Sequence, residues 1–397
     1  MLPAPLMVSE RGSFAEHTIV ARKPQIIRDV LASNDYAAEI VARLRAFSEE
    51  IASEPVRPLR DVGPDLEMWR QALDPWRGHT WRQLPWFLAE TLFYRRLLEA
   101  CDYFSAGDLH HRDPFEPQKH RVTDEALPAL AAFLDRLADV APQQHLLLWL
   151  RRSLWGNRVD LSNVTVDMST DHAIHDQHDA RLLIDDTPTV IRQAQAGALQ
   201  RVAWIADNSG LELLSDLGLI DHLLSLDISA RIDLYLKRDP YFVSDAMIKD
   251  VRYAVARLAV AEHRGLGALG RRLEEQIASG RLALREHGFW NSCLFFTQFP
   301  DDIALELNAH DLLVFKGDAN YRRLVEDRHW LPTTSMARVT NYLRRPLLLV
   351  RTLKSELVLG LAEGQAEALA REDPDWLING QRGVLHWVSP LDSGDPA

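Results

Sequence analysis

The alternation of short apolar runs with helical stretches after Trp155 constrains the fold of this chain more than any other sequence feature. Each run ends in polar residues, and sequence with helical periodicity separates it from the next run. This order predicts a mostly parallel β-sheet covered by helices, and in such sheets ligands bind outside the carboxyl ends of the strands. The runs, with their polar tails, are RVAWIADNSG, ARIDLYLKRDP, HDLLVFKGD and PLLLVRTLKS.

The first 150 residues, in contrast, predict mainly helices. Apolar residues recur there at three- and four-residue spacing, and Thr123, before two acidic residues, marks the expected start of one helix. Because a single core rarely grows past about 300 residues, we expect this chain of 397 residues to form two domains. We place a helical domain at residues 1–150 and a sheet domain at residues 151–397.

Composition excludes several classes of protein. A formal net charge of -12 disfavours nucleic acid as a partner. Two cysteines, Cys101 and Cys293, are too few for a disulfide framework or a cysteine-based zinc site, which fits a reducing cytoplasm. The N-terminal sequence has no signal-peptide pattern, and no apolar run reaches the ~18 residues of a membrane span. No obligate protein partner is indicated.

Two acidic segments follow predicted strands. Asp207 and Asn208 open the sequence DNSG, and Asp245 ends the sequence FVSD. Such residues are common helix N-caps, and for Asp207 and Asn208 the sequence alone favours capping. The alternative is that their oxygens bind a hard cation such as Mg²⁺ or Mn²⁺. If the two strands are neighbours, the three side chains converge and leave coordination positions open for water and phosphate.

Basic residues follow two further strands. In KGDANYR, Lys316 and Arg322 are candidates to clamp a phosphate, although a solvated loop explains the segment equally well. In RTLK, Arg351 and Lys354 favour phosphate binding, because the start of an exposed helix would attract acidic residues instead.

Three other patterns are less informative. Asn157 and Asp160 in LWGNRVDLS either line a pocket or order a turn. The glycines of GLGALG match the dinucleotide pattern but follow a helical stretch and not a strand, so we interpret the segment as a helix–helix connection. Three histidines at three-residue spacing have the pattern of a metal site, but their polar surroundings favour a solvated segment; they are His172, His175 and His178.

In this order, these segments resemble the damage-control phosphatase family, and within it subfamily III, whose RTxK signature corresponds to Arg351–Lys354. The resemblance covers nearly the whole chain. It begins with RGSFAEHTIVARKPQIIRDVL and continues through PWFLAETLFYRRLLEA, LWGNRVDLS, DNSGLEL, FVSD, FWNS, KGDANYRRL and RTLKSELVLGL. It implies a three-layer α/β/α, Rossmann-like C-terminal domain that binds metal and carries the catalytic site, packed against an all-helical N-terminal domain.

The resemblance also implies a site and a reaction. Its metal ligands correspond to Asp207, Asn208 and Asp245, and the ion is usually Mn²⁺, with Co²⁺, Ni²⁺ or Mg²⁺ as substitutes. Glu212 matches the pattern DNxGxE and is expected to face the site. The remaining implied substrate contacts are Asp318, Asn320, Tyr321, Arg322 and Lys354. The segment near His175 corresponds to a variable insertion.

The expected activity is hydrolysis of small phosphorylated metabolites, for example the sugar phosphate fructose 1-phosphate. Lys316, Arg351 and Lys354 would offset the charge of the phosphoryl oxygens, and Asp318 or Glu212 would orient or deprotonate the attacking water. Two alternatives remain open at this stage. One is an S-adenosylmethionine-dependent protein carboxyl methyltransferase, an activity also attributed to a eukaryotic relative of the subfamily. The other is a sugar-phosphate sensor without catalytic activity.

Overall fold

The computed structural model of this protein describes residues 2–159 and 181–391, and only the backbone of residues 157–159. Asp160, His172, His175 and His178 lie outside the described residues, so the interpretations attached to them stay predictions. Within the two described ranges, no helix has the length and apolar character needed to cross a membrane.

Seven strands form one sheet in the order β1–β7–β6–β5–β2–β3–β4. Strands β6 and β7 are antiparallel, and the other neighbouring pairs are parallel. The strands predicted from sequence are confirmed as β2, β3, β5 and β6. Sequence analysis missed β1, β4 and β7, which lie at or next to the sheet edges. The strand bounds are β1 Leu182–Asp185, β2 Arg201–Ile205, β3 Arg231–Leu236, β4 Leu282–Glu286, β5 Leu312–Lys316, β6 Leu347–Thr352 and β7 Gly383–Val388.

Helices precede the sheet and connect its strands, as a mixed α/β fold requires. A π-helical turn, Thr18–Arg22, joins the first two α-helices. The α-helices are α1 Phe14–His17, α2 Lys23–Ser33, α3 Ala38–Ser53, α4 Leu66–Leu73, α5 Trp86–Ala100, α6 Glu116–Ala138, α7 His145–Val159, α8 Thr187–Gln195, α9 Leu211–Ser225, α10 Ile248–Ala259, α11 Arg264–Ala278, α12 Asp301–Asn308, α13 Gly317–Leu324, α14 Met336–Val339 and α15 Gln365–Glu372.

The two faces of the sheet bury separate hydrophobic cores. Along β2, Ala203 and Ile205 pack against the N-terminal helices α1 to α5, whereas Val202 and Trp204 pack against α6 to α11. This alternation follows from the two-residue period of a strand. The fold class expected from sequence is therefore confirmed: helices flank a central sheet, and a helical region precedes it.

Residue 150, where sequence analysis placed the domain boundary, lies inside α7, and α6 and α7 contribute to the second core; the division into two domains stays a prediction. Two other details differ from expectation. The helix expected to begin at Thr123 begins at Glu116, because Pro117 starts it, and Thr123 donates to the Lys119 carbonyl. The GLGALG glycines lie inside α11, where a Cβ on Gly270 would come within 2.2 Å of the backbone of Ala259. They permit a close helix contact, so their interpretation as a connection was wrong.

Candidate active site

The carboxyl ends of β2 and β5 lie side by side at the point where the connections of the chain diverge to opposite sides of the sheet, and we call this region the crevice. From β2 the chain continues to β3 on one side, and β5 pairs with β2 on the other. Asp207 lies just beyond β2, and Gly317 directly follows β5. Gly317 has φ +79°, and a Cβ there would lie 1.8 Å from Oδ2 of Asp207. Only glycine permits this approach of β5 to Asp207.

Asn208 and Asp245 lie opposite each other in an antiparallel bridge. The bridge is held by the Ser209 amide, which donates to the Ser244 carbonyl at 2.7 Å, and by the Ala246 amide, which donates to the Asp207 carbonyl at 2.8 Å. The convergence of these three side chains is therefore what the structure shows.

The alternative that these residues cap helices is wrong. The N-cap of α9 is Gly210, which has no side chain to accept a hydrogen bond. The N-cap of α10 is Met247, whose amide donates to the Asp250 carboxylate. Asp207, Asn208 and Asp245 are thus not used to satisfy helix termini, which removes the structural explanation for their presence.

Burial and mutual repulsion destabilise the charges of these acids. Burial raises the pKa of Asp207 well above its ordinary value, and the carboxylates of Glu212 and Asp245 raise it further. Burial also raises the pKa of Asp245 to about 6, although Lys237 and Lys119 oppose the change. The Lys237 ammonium lies 3.4 Å from Oδ2 of Asp245, a buried atom that receives no hydrogen bond from the described residues. A cluster of this kind is stabilised by a bound cation.

The residues fit a divalent cation in donor type. All three predicted ligands are oxygen donors, and within the described ranges Asp245 Oδ2 lacks a hydrogen-bond donor. Among residues 2–159 and 181–391 no three His, Cys, Asp or Glu side chains form a metal-binding group, so the predicted set depends on the Asn208 amide oxygen as its third donor. In the structure its Nδ2 donates to Asp207 and Glu212 at 2.7 and 2.9 Å, while Oδ1 accepts from Ser244. Ligation through Oδ1 therefore requires the amide to turn over.

Lys316 is buried beneath the crevice, and all of its shown contacts are with protein groups. Its ammonium is fully buried, donates to Ser153 at 2.7 and 2.8 Å and pairs with Asp216 at 3.1 Å and Glu212 at 3.5 Å. Asp216 also accepts from the Ser153 hydroxyl. Lys316 therefore holds Glu212 in place, and its expected contact with phosphate is not supported.

Arg322 is likewise a structural residue, in contrast to the expectation of a phosphate clamp. It pairs with both oxygens of Asp327 at 2.7 and 2.8 Å and with Glu90 at 2.5 Å. Its guanidinium lies 3.6 Å from the centre of the Trp86 ring. Because Glu90 and Trp86 belong to α5, Arg322 fastens α13 to the N-terminal helices.

Asn320 and Tyr321 are also buried away from solvent. The Asn320 amide donates to the carbonyls of Ala206 and Lys316 at 3.0 and 2.8 Å, and so joins the ends of β2 and β5. The Tyr321 hydroxyl accepts from the Leu359 amide at 2.9 Å. Both residues shape the crevice, and their roles as substrate contacts stay predictions.

Asp318 faces the crevice with one oxygen engaged. Its Oδ1 accepts from Nε of Arg351 at 2.8 Å, from the Lys354 amide at 3.1 Å and from the Ser355 hydroxyl at 3.1 Å. Arg351 is buried over the Tyr321 ring and also donates to Ser355 and to the Leu357 carbonyl. Arg351 thus positions Asp318 and the RTLK loop. Its buried Nη1 makes no hydrogen bond to any described residue.

Of the four basic residues predicted to bind phosphate, Lys354 is the one whose ammonium has no protein partner among the described residues. Among the described residues it makes no side-chain hydrogen bond or ion pair within 4 Å. Burial lowers the pKa of this ammonium, while Glu212, Asp207 and Asp318 oppose the change, so the group lies near all three carboxylates.

Asn157 lies in the last turn of α7, and its side chain is outside the described part of the chain. The neighbouring Gly156 packs closely on the start of α9, since a Cβ there would lie 3.2 Å from Cα of Glu212. The end of α7 therefore reaches the crevice, and the roles predicted for Asn157 and Asp160 stay predictions.

Sequence analysis missed residues that support Asp245, one of the predicted metal ligands. Lys119 donates to the Asp245 carbonyl at 2.9 Å and pairs with Asp113 and Asp250. Asn291, within the segment FWNS, accepts from the amides of Arg238 and Asp239 and fixes the loop after β3. Nothing local marks Lys119, because its partners are distant in sequence.

The fold defines a doubly wound α/β protein with a cluster of acidic residues at its switch point. The family model of the damage-control phosphatase ARMT1-like domain matches residues 18–369. The chain belongs to this damage-control phosphatase family, and its members are phosphatases, a class of hydrolase.

Relatives and one solved structure agree with this membership. The mouse protein named damage-control phosphatase ARMT1 is 30% identical over 439 residues, covering 98% of this chain and 99% of its own. The Xenopus laevis and human proteins of that name are 30% and 29% identical, covering 96% and 98% of this chain and 98% and 100% of their own. A crystal structure of a DUF89 family protein from Pyrococcus horikoshii has the same fold, with a TM-score of 0.51 at 16% identity over 93% of this chain and 97% of that one.

Proposed function

We propose that this protein is a divalent-cation-dependent phosphatase that hydrolyses small phosphorylated metabolites, in particular sugar phosphates such as fructose 1-phosphate. The observation that carries the proposal is the convergence of Asp207, Asn208 and Asp245 in one crevice, where none of them caps a helix. Mn²⁺ is the proposed ion, with Co²⁺, Ni²⁺ or Mg²⁺ as substitutes, held by these three side chains.

When bound, such a cation would supply Lewis-acid activation of a phosphoryl oxygen and of water. The protein's own contribution is orientation and charge. Lys354 presents an ammonium to the phosphoryl group, since its head makes no ion pair with a described carboxylate within 4 Å. Gly317 keeps the approach to Asp207 free of a side chain.

Asp318 is the better candidate than Glu212 for orienting or deprotonating the attacking water. Glu212 is 3% exposed, and its two oxygens face Asn208 and Lys316. The Asp318 side chain is 15% exposed, and its contacts with Arg351, Lys354 and Ser355 all involve Oδ1. Its Oδ2 can therefore accept a hydrogen bond from water, a requirement for a general base.

The test is phosphate release from a panel of phosphorylated metabolites that includes fructose 1-phosphate, with each of the four divalent ions and with EDTA. Turnover should require an added ion and should be lost in Asp207→Ala, while the exposed control Asp108→Ala keeps wild-type turnover. Ion-independent release, or full activity in Asp207→Ala, would contradict the proposal.

Calorimetry on the same protein separates the two other candidate functions. Binding of S-adenosylmethionine without phosphate release would favour a methyltransferase. Binding of fructose 1-phosphate without phosphate release under any ion would favour a sensor.

A further inference from the structure

The candidate crevice is short of available positive charge. Of the four basic residues that sequence analysis assigned to it, Lys316 and Arg322 are buried in ion pairs and Arg351 is buried against Asp318. Of these four, only Lys354 remains to meet the phosphoryl group. A phosphate monoester is a dianion at neutral pH, and its recognition ordinarily uses more than one charged donor.

The N-terminal segment is anchored at two points close to loops of the candidate site. At one end, the Ala15 amide donates to Oε2 of Glu356 at 3.4 Å, two residues beyond Lys354. At the other end, Lys23 is buried and donates to Glu90 at 2.7 Å and to the Tyr94 hydroxyl at 3.3 Å.

That second end is fixed beside the loop that carries Asp245. The Tyr94 ring packs on Phe242, with ring centres 5.0 Å apart, and Phe242 lies three residues before Asp245. The residues between Ala15 and Lys23 are therefore held between the loop after β6 and the loop after β3, the two walls of the crevice.

Arg22 is the last residue of the π-helical turn in this segment, and the Lys23 amide donates to the Thr18 carbonyl. Turns of this type occur often at functional sites. Arg22 is exposed and makes no hydrogen bond or ion pair to any other residue that the structure describes. Burial lowers the pKa of Lys354, the carboxylates of Glu212, Asp207 and Asp318 oppose the change, and the positive charge of Arg22 adds to the lowering.

We propose that Arg22 is a substrate-binding residue that donates to the phosphoryl group across the crevice from Lys354. The inference rests on the proposed phosphatase function and extends it to a second cation, contributed by the N-terminal helices. Arginine suits the role because its fork of donors matches two phosphate oxygens.

The test uses full-length protein loaded with Mn²⁺ and compares wild type, Arg22→Gln, Arg22→Lys and Arg28→Gln. Arg28 is an exposed arginine of α2 that is bonded to Gln25, and it serves as the matched control. The Kd of inorganic phosphate is measured by calorimetry, kcat/KM with fructose 1-phosphate by phosphate release, and folding by thermal unfolding.

Arg22→Gln should weaken phosphate binding and lower kcat/KM by about 10- to 100-fold, the usual loss for a hydrogen bond between charged groups. Arg22→Lys should restore part of this loss, and Arg28→Gln should match wild type, with unfolding temperatures unchanged. If the wild type is active and Arg22→Gln binds phosphate with the wild-type Kd, the role of Arg22 is overturned and the proposed function stands. A wild type that neither binds nor releases phosphate overturns the proposed function together with this inference.

Discussion

Replacement of Gly317 by alanine is the sharpest single test of the crevice. The added Cβ would lie 1.8 Å from Oδ2 of Asp207, whereas real contacts of this kind stay beyond 3.0 Å. Asp207 is buried, so it has to move by roughly 1 Å with its surroundings, and a displacement of that size can lower catalysis about 100-fold. We therefore expect Gly317→Ala to lose most of the Mn²⁺-dependent phosphatase activity.

The effect on stability has two parts that a second variant separates. Gly317 has φ +79°, and an alanine in that conformation costs about 1–2 kcal/mol of unfolding free energy. Overpacking against Asp207 adds about 1–3 kcal/mol. Gly364 has φ +78°, and a Cβ there would meet no described atom within 4 Å, so Gly364→Ala bears the first cost without the second.

Urea unfolding of the two variants measures the stability difference, and phosphate release at saturating Mn²⁺ measures kcat/KM. Gly364→Ala should keep wild-type activity with a small loss of stability. Gly317→Ala should be the less stable of the two and nearly inactive while still folded. Equal activity in both variants would refute the reasoning, because it would mean that the position of Asp207 does not matter to turnover.

Three further predictions concern the cation, a buried arginine and a histidine. Mn²⁺ at 100 times its Kd should stabilise the wild type by about 2.7 kcal/mol, and Asp207→Ala should abolish this stabilisation in thermal unfolding. Arg322→Met should lose about 3–5 kcal/mol of unfolding free energy, because it leaves Asp327 buried without its partner. The variant should keep the wild-type kcat/KM per folded molecule. A loss of activity at unchanged stability would instead support the predicted role of Arg322 as a phosphate clamp. Burial lowers the pKa of His222 to about 4, and the nearby His145 adds to this lowering. Between about pH 6.5 and pH 4, His222 is therefore protonated in the unfolded chain but neutral in the folded protein. Stability should fall as pH drops from 6.5 towards 4, and His222→Gln should fall less in urea unfolding; an unchanged pH dependence would contradict the assignment.

The convergence of Asp207, Asn208 and Asp245 was predictable because it depends on strand order alone. Each residue follows a parallel strand, and the carboxyl ends of neighbouring parallel strands share one edge of the sheet. The apolar runs identified β2 and β3, and these strands are adjacent. Where the sequence pattern determines both the strand and its end, the position of the polar residue follows.

The roles of the basic residues were not predictable in the same way. Lys316 ends a strand and Arg322 lies on a helix, and both appear in the sequence as charges beside a glycine turn. Their burial depends on Asp216, Glu90 and Asp327, and only tertiary packing brings Asp216 and Glu90 to them. Sequence identifies a charge but not the direction in which its side chain points, and for a long side chain that direction decides between a structural and a binding role.

The buried lysines around the crevice place charge where apolar residues would serve stability at least as well. Lys119, Lys237 and Lys316 are each buried beside carboxylates of the site or its supports. Buried ion pairs seldom stabilise a fold more than well-packed apolar residues of similar volume do, because desolvation offsets the attraction. Their retention is better explained by the need to keep nearby carboxylates fixed in a dry crevice before a ligand arrives, since preorganised charge is what accelerates a reaction. Replacing Lys316 and Asp216 together by apolar residues removes their mutual ion pair but also leaves the buried Glu212 without its ammonium. We therefore expect a loss of unfolding free energy in urea unfolding, together with a fall in phosphate release, because Glu212 is no longer held in place.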